Sequence, residues 1–154
     1  MRLVLHRKYK ATLTLGRLFL GQKQIWFTRE PPKACFGKDI ACLDEGVYEL
    51  DPIHSEEKGW EIGIGEGGKI SSLGLCPHRP KGEIKEGVYQ LESNSIYPVT
   101  SYRADGTPMF TKLAFLKLME RLEREWERGE IVELQIVSEP VPYLLKSCLQ
   151  QSYC

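Results

Sequence analysis

Apolar and polar residues alternate with a period of two along the first thirty positions. RLVLHRKY and ATLTLGRLFL carry the pattern, and QIWFTRE continues it after Gly21-Gln22. A period of two sends successive side chains to opposite faces, so these segments predict half-buried strands. Gly21-Gln22 predicts a tight turn, and the three together an antiparallel meander. In the second segment Leu13, Leu15 and Arg17 share one face, while Thr12, Thr14 and Leu18 share the other. Pro31-Pro32 ends the third, because proline cannot donate to a ladder.

EGVYELDPIHS, GWEIGIGEGG, SIYPVTSY and EIVELQIVSEP read as later strands. KISSLGLCPHRPKGEIK holds one more short strand and a proline-bracketed turn. The period then changes. Phe115, Leu118, Met119, Leu122 and Trp126 form one stripe at helical spacing, with Glu120, Arg121, Glu123, Arg124, Glu125, Glu127 and Arg128 on the wet side. One long helix is predicted, with Thr107 as N-cap, Pro108 at the first helical position and Gly129 closing it. The expected fold is a single α+β domain over residues 1–140. Mostly antiparallel strands form a curved sheet or small barrel, and the helix packs on it. Residues 141–154 are expected to be a tail that docks or frays.

Two stretches are nearly alike. Glu45-Gly46-Val47-Tyr48 and Glu86-Gly87-Val88-Tyr89 are identical and lie 41 residues apart, each followed by a polar residue and leucine. Glycine lets the chain turn sharply into a strand, so two strands with similar entries explain the repeat better than a duplicated unit.

The 154 residues suit one domain with a core. Lys+Arg and Asp+Glu both number 21. That balance favours neither a nucleic-acid nor a membrane partner, since both need a local positive field. Nothing approaches the roughly 20 apolar residues of a membrane span. The opening MRLVLHRKYK is not a secretory signal, so the expected compartment is the cytoplasm, with a phage particle or non-classical export as alternatives. The five cysteines include no CxxC pair, and the three histidines include no HxH or HExxH. No metal or cofactor is expected. Cys35 and Cys42 flank a short loop, and a cytosolic protein would keep them reduced.

LCPHRP is the most chemical stretch. Cys76 and His78 lie on one side of an extended segment, where an imidazole could activate a thiolate, with Arg79 beside developing negative charge. A rigid surface turn is the plainer reading, because two residues without an orienting third group do not make a site. Gly63-x-Gly65-x-x-Gly68 matches a dinucleotide fingerprint in spacing only, because no helix follows it. His54 reads as a solvated histidine at a strand end. Among the aromatics, Trp60 and Tyr97, with Arg79, are the candidates for a binding surface.

Thr14-Leu15-Gly16-Arg17-Leu18, Phe27-Thr28-Arg29-Glu30-Pro31 and Cys42-Leu43-Asp44-Glu45-Gly46-Val47-Tyr48 occur in that order, before a helix and a last strand. This order resembles a small bacterial and phage family known only as a domain of unknown function, with a TxGxL, TLExP, IPxGxY pattern. Members of that family carry an I-H-x-G-N segment and a G-C-I segment, similar to the His/Cys site of L,D-transpeptidases. Neither segment is present here, and GLCPHRPKG holds its Cys and His in another order. The resemblance therefore implies a non-catalytic binding or structural protein of phage or mobile-element type, with a protein or peptidoglycan-peptide partner. Its alternative is a cysteine-dependent acyl-transfer or hydrolase domain acting on cell-wall peptides.

Overall fold

The computed structural model describes residues 1–10, 13–33, 41–72 and 91–138. The meander forms as expected: β1 (Arg2–Tyr9), β2 (Thr14–Leu20) and β3 (Lys23–Glu30) are antiparallel neighbours turning at Gly21. Beyond it come β4 (Gly46–Ser55), β5 (Gly59–Ile64), β6 (Gly68–Ile70) and β7 (Ser95–Val99). A two-stranded turn of β8 (Ser101–Tyr102) and β9 (Pro108–Met109) leads into α1 (Thr111–Glu127), and β10 (Glu133–Ser138) follows.

The sheet closes on itself in the order β1-β10-β4-β5-β6-β7-β3-β2. The fold is thus an eight-stranded barrel with one helix. The expectation of mostly antiparallel pairing needs one amendment, because β1 with β10 and β6 with β7 run parallel. Parallel neighbours cannot be joined by a tight hairpin and need a longer crossover connection.

Inward positions follow the period of two. Leu3 and Leu5 of β1, Leu18 of β2, Leu50 of β4, Ile62 and Ile64 of β5, Ile70, Ile96, Leu134 and Ile136 are all buried in one cluster. The helix joins the same cluster through Phe115, Leu118, Met119 and Leu122, and Trp126 packs against it half-buried. The Trp126 indole N–H donates to the Leu50 carbonyl at 3.1 Å. Because α1 leaves the end of β7 and enters β10 beside the start of β1, it stops the mouth of the barrel formed by those strand ends.

The helix start differs from the expectation. Thr107 and Pro108 are not its cap and first turn: Pro108 pairs with Tyr102, and the Thr107 N–H donates to the Asp105 carboxylate at 3.0 Å. Pairing with β8 consumes these residues, so the helix begins at Thr111 after Phe110, whose φ is 55°. The other end is as expected. Gly129 has φ 75° and its N–H reaches the Trp126 carbonyl, satisfying a carbonyl the last turn leaves open.

Each large apolar side chain on the helix stripe contributes about 1.5–3 kcal/mol by leaving water. Leu118 is fully buried at the centre of that stripe. Leu118→Asp is expected to abolish cooperative unfolding in a thermal melt, and an unchanged melting curve would contradict the packing described.

Candidate functional site

β4 and β5 outrun their neighbours. β10 pairs with β4 only over Gly46–Glu49, and β6 pairs with β5 only over Ile62–Ile64. The two strands stay paired to each other as far as Ser55 opposite Gly59. Residues 51–61 therefore form an arm beyond the barrel rim, with outer edges that pair with no other strand among the described residues. Strand alternation puts Trp60 on the face of Ile62, and His54 on the face of Leu50. The lining of the barrel thus continues onto the arm, where it meets solvent. Trp60 is 56% exposed, and the His54 ring lies 4.9 Å from it at a tilt of 58°.

The arm is braced from its other face. The Ser71 hydroxyl donates to the buried Glu61 carboxylate. Lys69 lies 3.7 Å from Glu61 and 2.8 Å from Glu92. Lys58, at the tip, reaches the same Glu92 at 2.8 Å. Hydrogen bonds from Lys58 and then Lys69 hold the Glu92 carboxyl below its ordinary range. The Glu92 N–H in turn donates to the Tyr97 hydroxyl at 3.1 Å. These bonds spend Lys58, leaving Asp51, Glu56 and Glu57 as exposed carboxylates on the arm. The arm offers an exposed aromatic ring, with Glu56 and Glu57 in its turn and Asp51 on its opposite face.

A second polar cluster sits at the opposite mouth of the barrel. Arg7 follows Leu3 and Leu5 on the inward face and is fully buried. Its guanidinium grips Glu30 with two parallel bonds, one of 2.9 Å from Nε, and also donates to the Leu43 carbonyl. Burial pushes the Glu30 carboxyl up, against the pull of the guanidinium. Gly16 makes room for this layer, since a Cβ there would stand 2.3 Å from the Thr28 hydroxyl and 2.7 Å from Leu5. The Cys42 thiol lies in the same region, facing the Thr14 hydroxyl, and is free. Burial raises its pKa, and Arg7 only partly offsets that. A thiol so placed is a poor nucleophile near neutral pH.

The expected residues fall unevenly. Cys76, His78, Arg79, Cys35, the second Gly-Val-Tyr copy and the 141–154 tail lie outside the described residues. Trp60 is on the surface as proposed. Tyr97 is not: its ring is buried and its hydroxyl braces the Glu92 loop. The fingerprint-like glycines serve the β5–β6 hairpin and no helix follows them. His54 ends its strand in solvent. The described residues include no cluster of three or more metal-ligating side chains. Sequence reading missed the Arg7–Glu30 pair, although Arg7 continues the Leu3, Leu5 alternation inward.

Removing one partner of a buried ion pair strands the other, at a cost of about 3–5 kcal/mol. Arg7→Met and Glu30→Leu are each expected to lose that much in urea unfolding, and the double variant to recover most of it. Additive losses would show that the two side chains act separately. Cys42 is expected to react slowly with iodoacetamide near neutrality and to speed up only above the ordinary thiol range, since its raised pKa keeps the thiolate scarce. Fast labelling at neutral pH would contradict its burial.

No family model matches this chain, and neither the curated proteins nor the solved structures contain a match to it.

Proposed function

We propose that the protein is a non-catalytic binding module that holds an amine-bearing extended peptide on the β4–β5 arm. The observation that carries this reading is Trp60, a large aromatic side chain 56% exposed on a braced arm and tilted against the His54 ring. Burying an exposed tryptophan ring on binding removes a large apolar surface from water. The ring face also attracts a cation. Asp51, Glu56 and Glu57 give the arm negative charge, so a protonated amine complements the arm better than a carboxylate does. Backbone edges that pair with no other strand among the described residues suit an extended chain that adds as a strand. Peptidoglycan stem peptides have this chemistry: short, extended and amine-bearing.

Support for catalysis is weaker. The described thiol, Cys42, is deactivated by burial, and the Cys76–His78 pair has no described geometry behind it.

Calorimetric titration with a lysine-containing stem peptide is the direct test, with the same peptide acetylated on its side-chain amine as a control. The wild type is expected to bind, with acetylation and Trp60→Ala each weakening binding at least about tenfold. Trp60→Ala should melt like the parent, because the ring is not part of the core cluster. Absent binding, or binding unchanged by Trp60→Ala, would overturn the proposal.

A further inference from the structure

The helix that stops the barrel has a second apolar face. Phe110, Leu113 and Leu116 are 58%, 47% and 51% exposed. Leu113 and Leu116 are three apart on the first two turns, so their side chains adjoin, and Phe110 immediately precedes the helix. Lys112 and Lys117 flank them, and both are exposed. No acidic residue occurs from Thr107 to Met119. On the preceding turn Arg103 and Asp105 offset each other. The next acid along the face, Glu120, is engaged by Arg124 at 2.9 Å. The patch is therefore apolar at its centre and positive at its edges, in a chain whose total charge is zero.

We propose that this half of α1 docks on an anionic lipid surface. Two other occupants fit less well. A second copy packed antiparallel, with Leu113 against the other chain's Leu116, would bring Lys112 opposite Lys117 and set like charges together. An acidic peptide would need a groove, whereas these three side chains project from a convex helical surface. A bilayer interface accepts projecting apolar side chains, and lysine stems extend along the acyl boundary while their ammonium groups meet anionic headgroups. No described helix is long and apolar enough to cross a membrane, so α1 would lie along the surface and not span it. The neutral composition argued against a membrane partner only as an average over the chain.

Co-sedimentation with vesicles tests this. Vesicles of equal parts phosphatidylglycerol and phosphatidylcholine are expected to carry the protein down, and pure phosphatidylcholine vesicles to leave it in solution. Added salt should weaken the association by screening the lysines. Leu113→Ser with Leu116→Ser should reduce binding at least about tenfold, and Lys112→Gln with Lys117→Gln should reduce it and remove the salt dependence. All four side chains are exposed, so both double variants should unfold at the parent's midpoint. The proposal is overturned if anionic vesicles do not bind, if the leucine variant binds as well as the parent, or if soluble polyglutamate binds in place of vesicles.

Discussion

An eight-stranded barrel has room inside for side chains and for little else, and each of its two mouths must be stopped. That constraint organises this molecule. At one mouth the stopper is apolar: α1 lays Phe115, Leu118, Met119 and Leu122 into the cluster that lines the lumen. At the other it is ionic: Arg7 and Glu30 meet inside the wall, and Leu43 closes over them by accepting from the guanidinium. The two solutions differ in their physics. The apolar stopper gains from every methylene it removes from water. The ionic one must recover the desolvation of two charges through bidentate geometry, so it tolerates the loss of both partners better than the loss of one.

Filling the lumen this way leaves the outer surface as the part not taken up by packing. Among the described residues no small-molecule chamber is needed to explain the inward side chains, because each inward row is taken up by core or by the ion pair. What remains is surface that the barrel does not require for its own stability. The β4–β5 arm is one such surface, since its neighbours stop pairing before it ends. The exposed start of α1 is another, since the same helix already buries its opposite stripe. The bracing of the arm by Glu61, Ser71, Lys69 and Glu92 matters here. A two-stranded ribbon alone is marginally stable in water, and these contacts fix the face on which Trp60 stands.

The meander, the barrel option, the helix stripe and its glycine stop were legible because each rests on local periodicity. Leu3, Leu5 and Leu18 alternate, and Phe115 to Trp126 recur at helical spacing, so neighbours along the chain suffice to read them. The errors are of another kind. Thr107-Pro108 looks like a helix start, but a short hairpin that pairs Pro108 with Tyr102 claims it first. The parallel pairings depend on which strand ends meet around the barrel, which no local window contains. Arg7 does not stand out, because arginine is usually wet. Its register inside β1 says otherwise, but only once a buried carboxylate from β3 is brought opposite. Tyr97 and Trp60 look equivalent as strand aromatics. They separate only because the Glu92 loop covers one and the arm carries the other beyond the rim.

Net charge hid the surface chemistry for a similar reason. A sum of zero is compatible with strong local fields of opposite sign. The arm carries Asp51, Glu56 and Glu57 along with an exposed aromatic ring, whereas the start of α1 sets Lys112 and Lys117 beside leucines. Trp126, at the far end of the helix, touches Leu50 at the root of the arm. From Leu113 to Trp126 the helix rises about 20 Å, so the negative and positive surfaces are held apart by a rigid spacer of that length. A peptide partner and a lipid partner would then compete for no residue in common, and engaging the second would orient the arm relative to the surface on which the protein sits.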